Sequence, residues 1–94
     1  MRDIKELRRK LLNQAEGLAL QAEAAELIAN HFRPQYVALF NDEGFLRGSD
    51  LKNRFWLLRE YVTDQERQVK RLRNEEAEVR EAVEHLWRLE GLEK

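Results

Sequence analysis

A chain of 94 residues is one domain by length and sits near the lower limit at which a single core suffices, so help from a partner is expected. With 37% charged and 43% hydrophobic residues it resembles neither a disordered segment nor, lacking any apolar run near 18 residues, a membrane span. Lysine plus arginine (17) nearly balances aspartate plus glutamate (18), which excludes a global field for polyanions, and the absence of cysteine excludes disulfides and thiolate metal sites.

Met1-Arg2-Asp3 opens directly into a charged helical stretch without the apolar core of a signal peptide, so the expected location is cytoplasmic. Stepping alternately by three and four, Ile4, Leu7, Leu11, Gln14, Leu18, Gln21, Ala25, Ile28 and Phe32 form a heptad seam, which predicts a helix over residues 3–32 of roughly 45 Å. Gly17 lies inside it at a cost of about 1 kcal/mol relative to alanine, the mark of a close helix approach. Arg33 precedes Pro34, and the residue before a proline is pushed out of helical backbone space, so the helix is expected to stop near Phe32.

Residues 33–48 read as the bend. "PQYVALFNDEG" fits a short helix with Pro34 at its first position, Tyr36, Leu39 and Phe40 on one face, and Gly44 as terminator. The same letters also fit a strand hairpin, "YVALF" and "FLRG" around "NDEG". Either way Asp42 and Glu43 occupy the turn, where Asn and Asp favour bends by bonding their own backbone.

A second helix is predicted over residues 49–90, with Ser49 or Asp50 capping its start. Its seam runs Leu51, Phe55, Leu58, Val62, Gln65, Val69, Leu72, Glu76, Val79, Val83, Leu86 and Glu90, nine of twelve apolar, over roughly 60 Å. "TDQE" has capping-box spacing between Thr63 and Glu66 and is the one place where a break could fall. Gln65 and Glu76 either fix register inside the seam or face solvent where it opens.

Each seam needs a partner, and the nearest is the other. The fold class is therefore all-α: an antiparallel two-long-helix coiled-coil hairpin with a short helix or turn at the bend, placing residues 18–32 beside 51–65. Ala19, Leu20, Ala22, Ala24, Leu27 and Ala29 on the first helix, with Trp56, Leu57 and Tyr61 on the second, widen the apolar stripe and predict burial on more than one side. Seven of the eight aromatics lie toward the bend, so Leu39, Phe40, Phe45 and Trp56 are expected to be buried together. Paired outward from the bend, the second helix outlasts the first by about ten residues, roughly 15 Å, and that surplus carries Val83, Leu86, Trp87 and Leu89. An exposed stripe of that size predicts a helical-bundle homo-oligomer, most simply a homodimer, held at Val79, Val83, Leu86, Trp87 and Leu89 or at Trp56 and Tyr61.

Chemistry-bearing residues are few. Ser49 and Thr63 are the only hydroxyl candidates for a nucleophile besides the tyrosines, His31 sits beside the proline, and His85 has Glu81 one turn before it while position 82, where a di-iron signature needs glutamate, is Ala82. No catalytic residue, cofactor or metal is expected. A two-helix arm tipped by Asp42 and Glu43 is similar in outline to the coiled-coil arm of Gre-type transcript-cleavage factors, whose tip carboxylates help hold a metal in the polymerase; the resemblance implies a transcription-associated role for that pair. Two carboxylates supply fewer oxygens than a hard cation takes, and the aromatic cluster fits a packed corner better than a slim probe. Helix, connection, helix is equally the outline of prefoldin-like subunits and secretion chaperones. In "RQVKRLR", Arg67, Lys70, Arg71 and Arg73 surround Val69 and Leu72 as a phosphate-contacting helix would, but "NEEAEVREAVE" follows and offsets them. The expected function is a non-enzymatic protein-interaction module (adaptor, chaperone-like accessory or structural subunit) that binds itself and another protein; the alternative is a nucleic-acid or transcription-associated regulator using residues 67–73 or the acidic tip.

Overall fold

The computed structural model describes residues 2–41 and 49–92. They form two helices, α1 (Arg2–Phe40) and α2 (Ser49–Leu92), paired as a hairpin, with no strand among the described residues. Asp42, Glu43, Gly44, Phe45 and the rest of the expected turn lie outside the described residues.

α1 does not stop at Phe32. It runs through Pro34 to Phe40, and the Asn41 amide still bonds the Val37 carbonyl at 3.1 Å. The expected bend over 33–48 is thus helical as far as residue 40, and "YVALF" is helix rather than strand. Pro34 has no N–H to return to the Asn30 carbonyl, a loss of about 3 kcal/mol in a helix interior. It is exposed, so that carbonyl can turn to water, and continuing the helix keeps Tyr36 and Leu39 in phase with Phe32 for packing on α2. Burial of two such side chains contributes about 1.5 to 3 kcal/mol each when complete, which offsets the proline. α2 is likewise unbroken at "TDQE": the Thr63 hydroxyl donates to the Arg59 carbonyl at 2.8 Å, a bond back into its own helix rather than a cap.

All twelve predicted seam positions of α2 are buried or half-buried, and Thr63 is the one other such residue among those with described side chains. On α1 the seam is Ile4, Arg8, Leu11, Ala15, Leu18, Ala22, Ala25, Ala29, Phe32, Tyr36 and Leu39. One row of the expected seam (4, 11, 18, 25, 32) stands; the other moves by one residue. Leu7, Gln14, Gln21 and Ile28 are exposed, and Arg8, Ala15, Ala22 and Ala29 take their place. Alanine side chains can be enclosed completely where two helix backbones come close, and Ala15, Ala22 and Ala29 are at most 2% exposed.

The chain forms two compact units, Met1–Ala22 with Lys70–Lys94, and Glu23–Val69. In the first, Arg8 of α1 pairs with Glu90 of α2, and Lys5 lies 3.9 Å from the same carboxylate. α1 therefore reaches Glu90, and Val83 and Leu86 are not part of an unpaired surplus: Val83 is buried and Leu86 half-buried in the seam. In the second unit Arg33 binds Glu66 at 2.8 Å, the Phe32 and Tyr61 rings meet edge-on at 5.6 Å, and the Tyr36 and Phe55 rings at 5.7 Å. Residues 32–40 lie beside 55–66, so the pairing is shifted from the expected 18–32 beside 51–65, with Phe32 against Tyr61 common to both, because α1 continues past the proline.

Candidate interaction surfaces

Within Glu23–Val69, Phe55 is the one buried ring among the described residues and packs against Tyr36, Phe40 and Trp56. Phe40 and Trp56 cover it while remaining 57% and 55% exposed, so the expected joint burial of Leu39, Phe40 and Trp56 is reduced to a half-buried Leu39 and two outward rings. The Arg59 guanidinium stands 5.2 Å over the Trp56 ring, and Arg59, Glu60, Thr63, Asp64 and Arg67 line a shallow groove with it. Tyr61 is 43% exposed with its edge on Phe32, and Leu57 between the two aromatic positions is 67% exposed. On α1, Ala25 and Ala29 turn to the seam while Leu27 faces out at 64% exposure, so the widened apolar stripe is divided between core and surface rather than buried on two sides.

Arg33 and Glu66 mark one edge of this unit. The hydrogen bond from Arg33 to the Glu66 carboxylate holds the guanidinium more firmly protonated than usual, and a second bond runs from Arg33 to the Asn30 side chain at 2.8 Å. His31 is exposed, its ring edge-on to Phe32 at 4.9 Å and 3.4 Å from the Gln35 amide nitrogen.

In the other unit, Leu12, Arg80, Val83, Glu84, Trp87 and Arg88 line a groove of about 520 Å³. Trp87 is 65% exposed, with the Arg8 guanidinium 4.9 Å from its ring centre. Leu89 is exposed as well, while Val79 is half-buried in the seam. Glu76 occupies its seam position as a tethered carboxylate: Arg80 bonds it at 2.8 Å and Arg73 at 3.2 Å, and these bonds, Arg80 first, hold it below the usual carboxylate range against the opposing effect of desolvation. Gln65, also a seam residue, is half-buried.

The seven residues singled out as an interface thus separate into two kinds. Val79, Val83 and Leu86 pack within the chain, whereas Trp56, Tyr61, Trp87 and Leu89 point outward. Leu57 and Leu27, read from the sequence as widening the buried stripe, also point outward. In the basic stretch, Arg67 lies 3.7 Å from Asp64, Arg71 3.9 Å from Glu75 and Arg73 3.2 Å from Glu76, each one helical turn away. His85 and Glu81 share one surface with Glu78, but no group of three or more His, Asp or Glu side chains suited to a metal gathers among the described residues. None of the described helices is long and apolar enough to cross a membrane. Comparison with known proteins returns no matching family model, no matching curated protein and no matching solved structure.

Proposed function

We propose that the chain is a non-enzymatic helical interaction module, acting as a homo-oligomer and binding other protein as an adaptor, chaperone-like accessory or structural subunit. The observation that carries this reading is the contrast between a small core and large exposed side chains. Among the residues with described side chains, the buried hydrophobic ones are four alanines with Phe55, Val62, Leu72 and Val83, and Val62 is the one large side chain among them sealed below 2%. Trp56, Leu57, Tyr61 and Trp87 stay outside. Aromatic residues of this kind are the side chains that most often anchor protein interfaces, because they bring large apolar area with few rotatable bonds. An arginine stands near each tryptophan ring, a side chain suited to the rim of an interface.

Affinity capture with the purified chain tests the reading when paired with a Trp56→Ala/Trp87→Ala variant that retains its helix content. Partners held by the wild type and lost by the variant support it. Equal capture by both proteins, together with a single 11.3 kDa species in sedimentation, contradicts it.

A further inference from the structure

The exposed residues of α2 between Arg54 and Asp64 carry a pattern that one copy of the chain leaves largely uncovered. Stepping by three, four and three from Arg54 reaches Leu57, Tyr61 and Asp64, each immediately preceding a seam residue and each exposed. These four therefore form a stripe along one edge of the α2 seam, with coiled-coil spacing of its own. From this stripe we infer that a second copy of the chain docks antiparallel on the first, about a two-fold axis midway between Leu57 and Tyr61.

Turned end for end about that axis, Leu57 of one copy meets Tyr61 of the other and Arg54 meets Asp64, each contact occurring twice by symmetry. The central layers are apolar and the flanking layers are oppositely charged. One layer further out, Asp50 meets Gln68, again without like charges. Parallel pairing of the same stripe would set Arg54 on Arg54 and Asp64 on Asp64, so charge selects the antiparallel arrangement. The edge itself is suited to this use. In an antiparallel helix pair the positions just before each seam face one another, which puts Ile28, His31 and Gln35 of α1, with no acidic, lysine or arginine side chain among them, on the edge that carries Tyr61. The opposite edge holds the Arg33–Glu66 pair and the arginine-capped Trp56. Asp64 is available for exchange, since its one-turn pairing with Arg67 spans 3.7 Å between side chains 60% and 78% exposed. The small core of each chain supplies the motive for association, since burying Leu57 and Tyr61 adds the large apolar side chains that a single copy lacks.

The inference rests on the reading that the chain self-associates, and a charge exchange separates the two. Sedimentation equilibrium of the full chain across the micromolar range should give a dimer for the wild type. Arg54→Asp and Asp64→Arg should each raise the dimer Kd about tenfold or more, because both symmetric pairs become repulsive. The double variant Arg54→Asp/Asp64→Arg should return Kd toward the wild-type value, with far-UV circular dichroism confirming helix content throughout. Weakening by the single exchanges without recovery in the double overturns the antiparallel register. A dimer indifferent to every exchange overturns this interface and leaves self-association standing. A wild type that sediments at 11.3 kDa throughout overturns both.

Discussion

Ala29 and Leu27 sit two residues apart on α1 and show how little hydrophobicity alone says about position. Ala29 is 2% exposed in the seam, while the larger Leu27 stands in water. A leucine at position 29 would have to enter a contact shaped for a methyl group, so Ala29→Leu should destabilise the chain by about 1 to 3 kcal/mol. Leu27→Ala should change stability by less than about 0.5 kcal/mol. Urea denaturation of the two variants measures both, and a larger loss for Leu27→Ala would reverse this assignment of faces. Glu76 makes a second residue-scale prediction. Its carboxylate is held below the ordinary range, so the charged form favours the folded state, and that contribution is complete above about pH 4.3, the ordinary glutamate value. It is lost as pH falls through the lowered folded value. Glu76→Gln should therefore be less stable than wild type at pH 7 and low salt, and the gap should close in acid. Urea midpoints that differ equally at pH 7 and pH 3 would show that the Arg73 and Arg80 bonds do not discriminate between the two forms.

At the scale of the element, the passage of α1 through Pro34 is the decision that moves everything else. It extends the helix to Phe40, brings residues 32–40 beside 55–66, and leaves no unpaired stretch of α2 at Val83 and Leu86. The proline ring faces solvent, so an alanine at that position would meet no obstacle and would restore the missing N–H. Pro34→Ala should raise stability by up to about 3 kcal/mol, read as a higher urea midpoint. A lower midpoint would mean that the chain needs a break at this residue. The α2 seam shows the opposite behaviour: no proline or glycine interrupts it between Ser49 and Glu90, and every position read from its spacing is at least half-buried.

For the whole molecule the central question is what a core of this size can support. Among the described residues, four of the eight buried hydrophobic ones are alanines, each contributing about one methyl group. If folding draws on a second copy, stability must depend on concentration by mass action, since the dimer is favoured as chains are added. Raising the protein concentration tenfold should then raise Tm by about 3 to 6 °C for a chain of this size. The Arg54→Asp variant should lose most of that dependence. A wild-type Tm that does not move with concentration would separate folding from association.

Two long helices, their charged outer faces and the phase of the α2 seam were legible from the sequence, because an uninterrupted heptad pattern with one dominant apolar row admits one buried face. On α1 two phases compete. The row at 4, 11, 18, 25 and 32 belongs to both, and the richer apolar letters of Leu7 and Ile28 favour the wrong neighbour. Three alanines at seven-residue spacing, Ala15, Ala22 and Ala29, were the available signal for the right one, but alanine also occurs throughout solvated helices as a good helix former. Its meaning depends on a second helix lying close enough to enclose it, which is a tertiary fact. Pro34 was misleading for the same reason: local sterics predict a stop, and only packing of Tyr36 and Leu39 beyond it supplies the energy to continue. Outward placement of Trp56, Leu57 and Tyr61 was decided in the same way, since the face available to α1 is narrow and Phe55, Leu58 and Val62 already fill it.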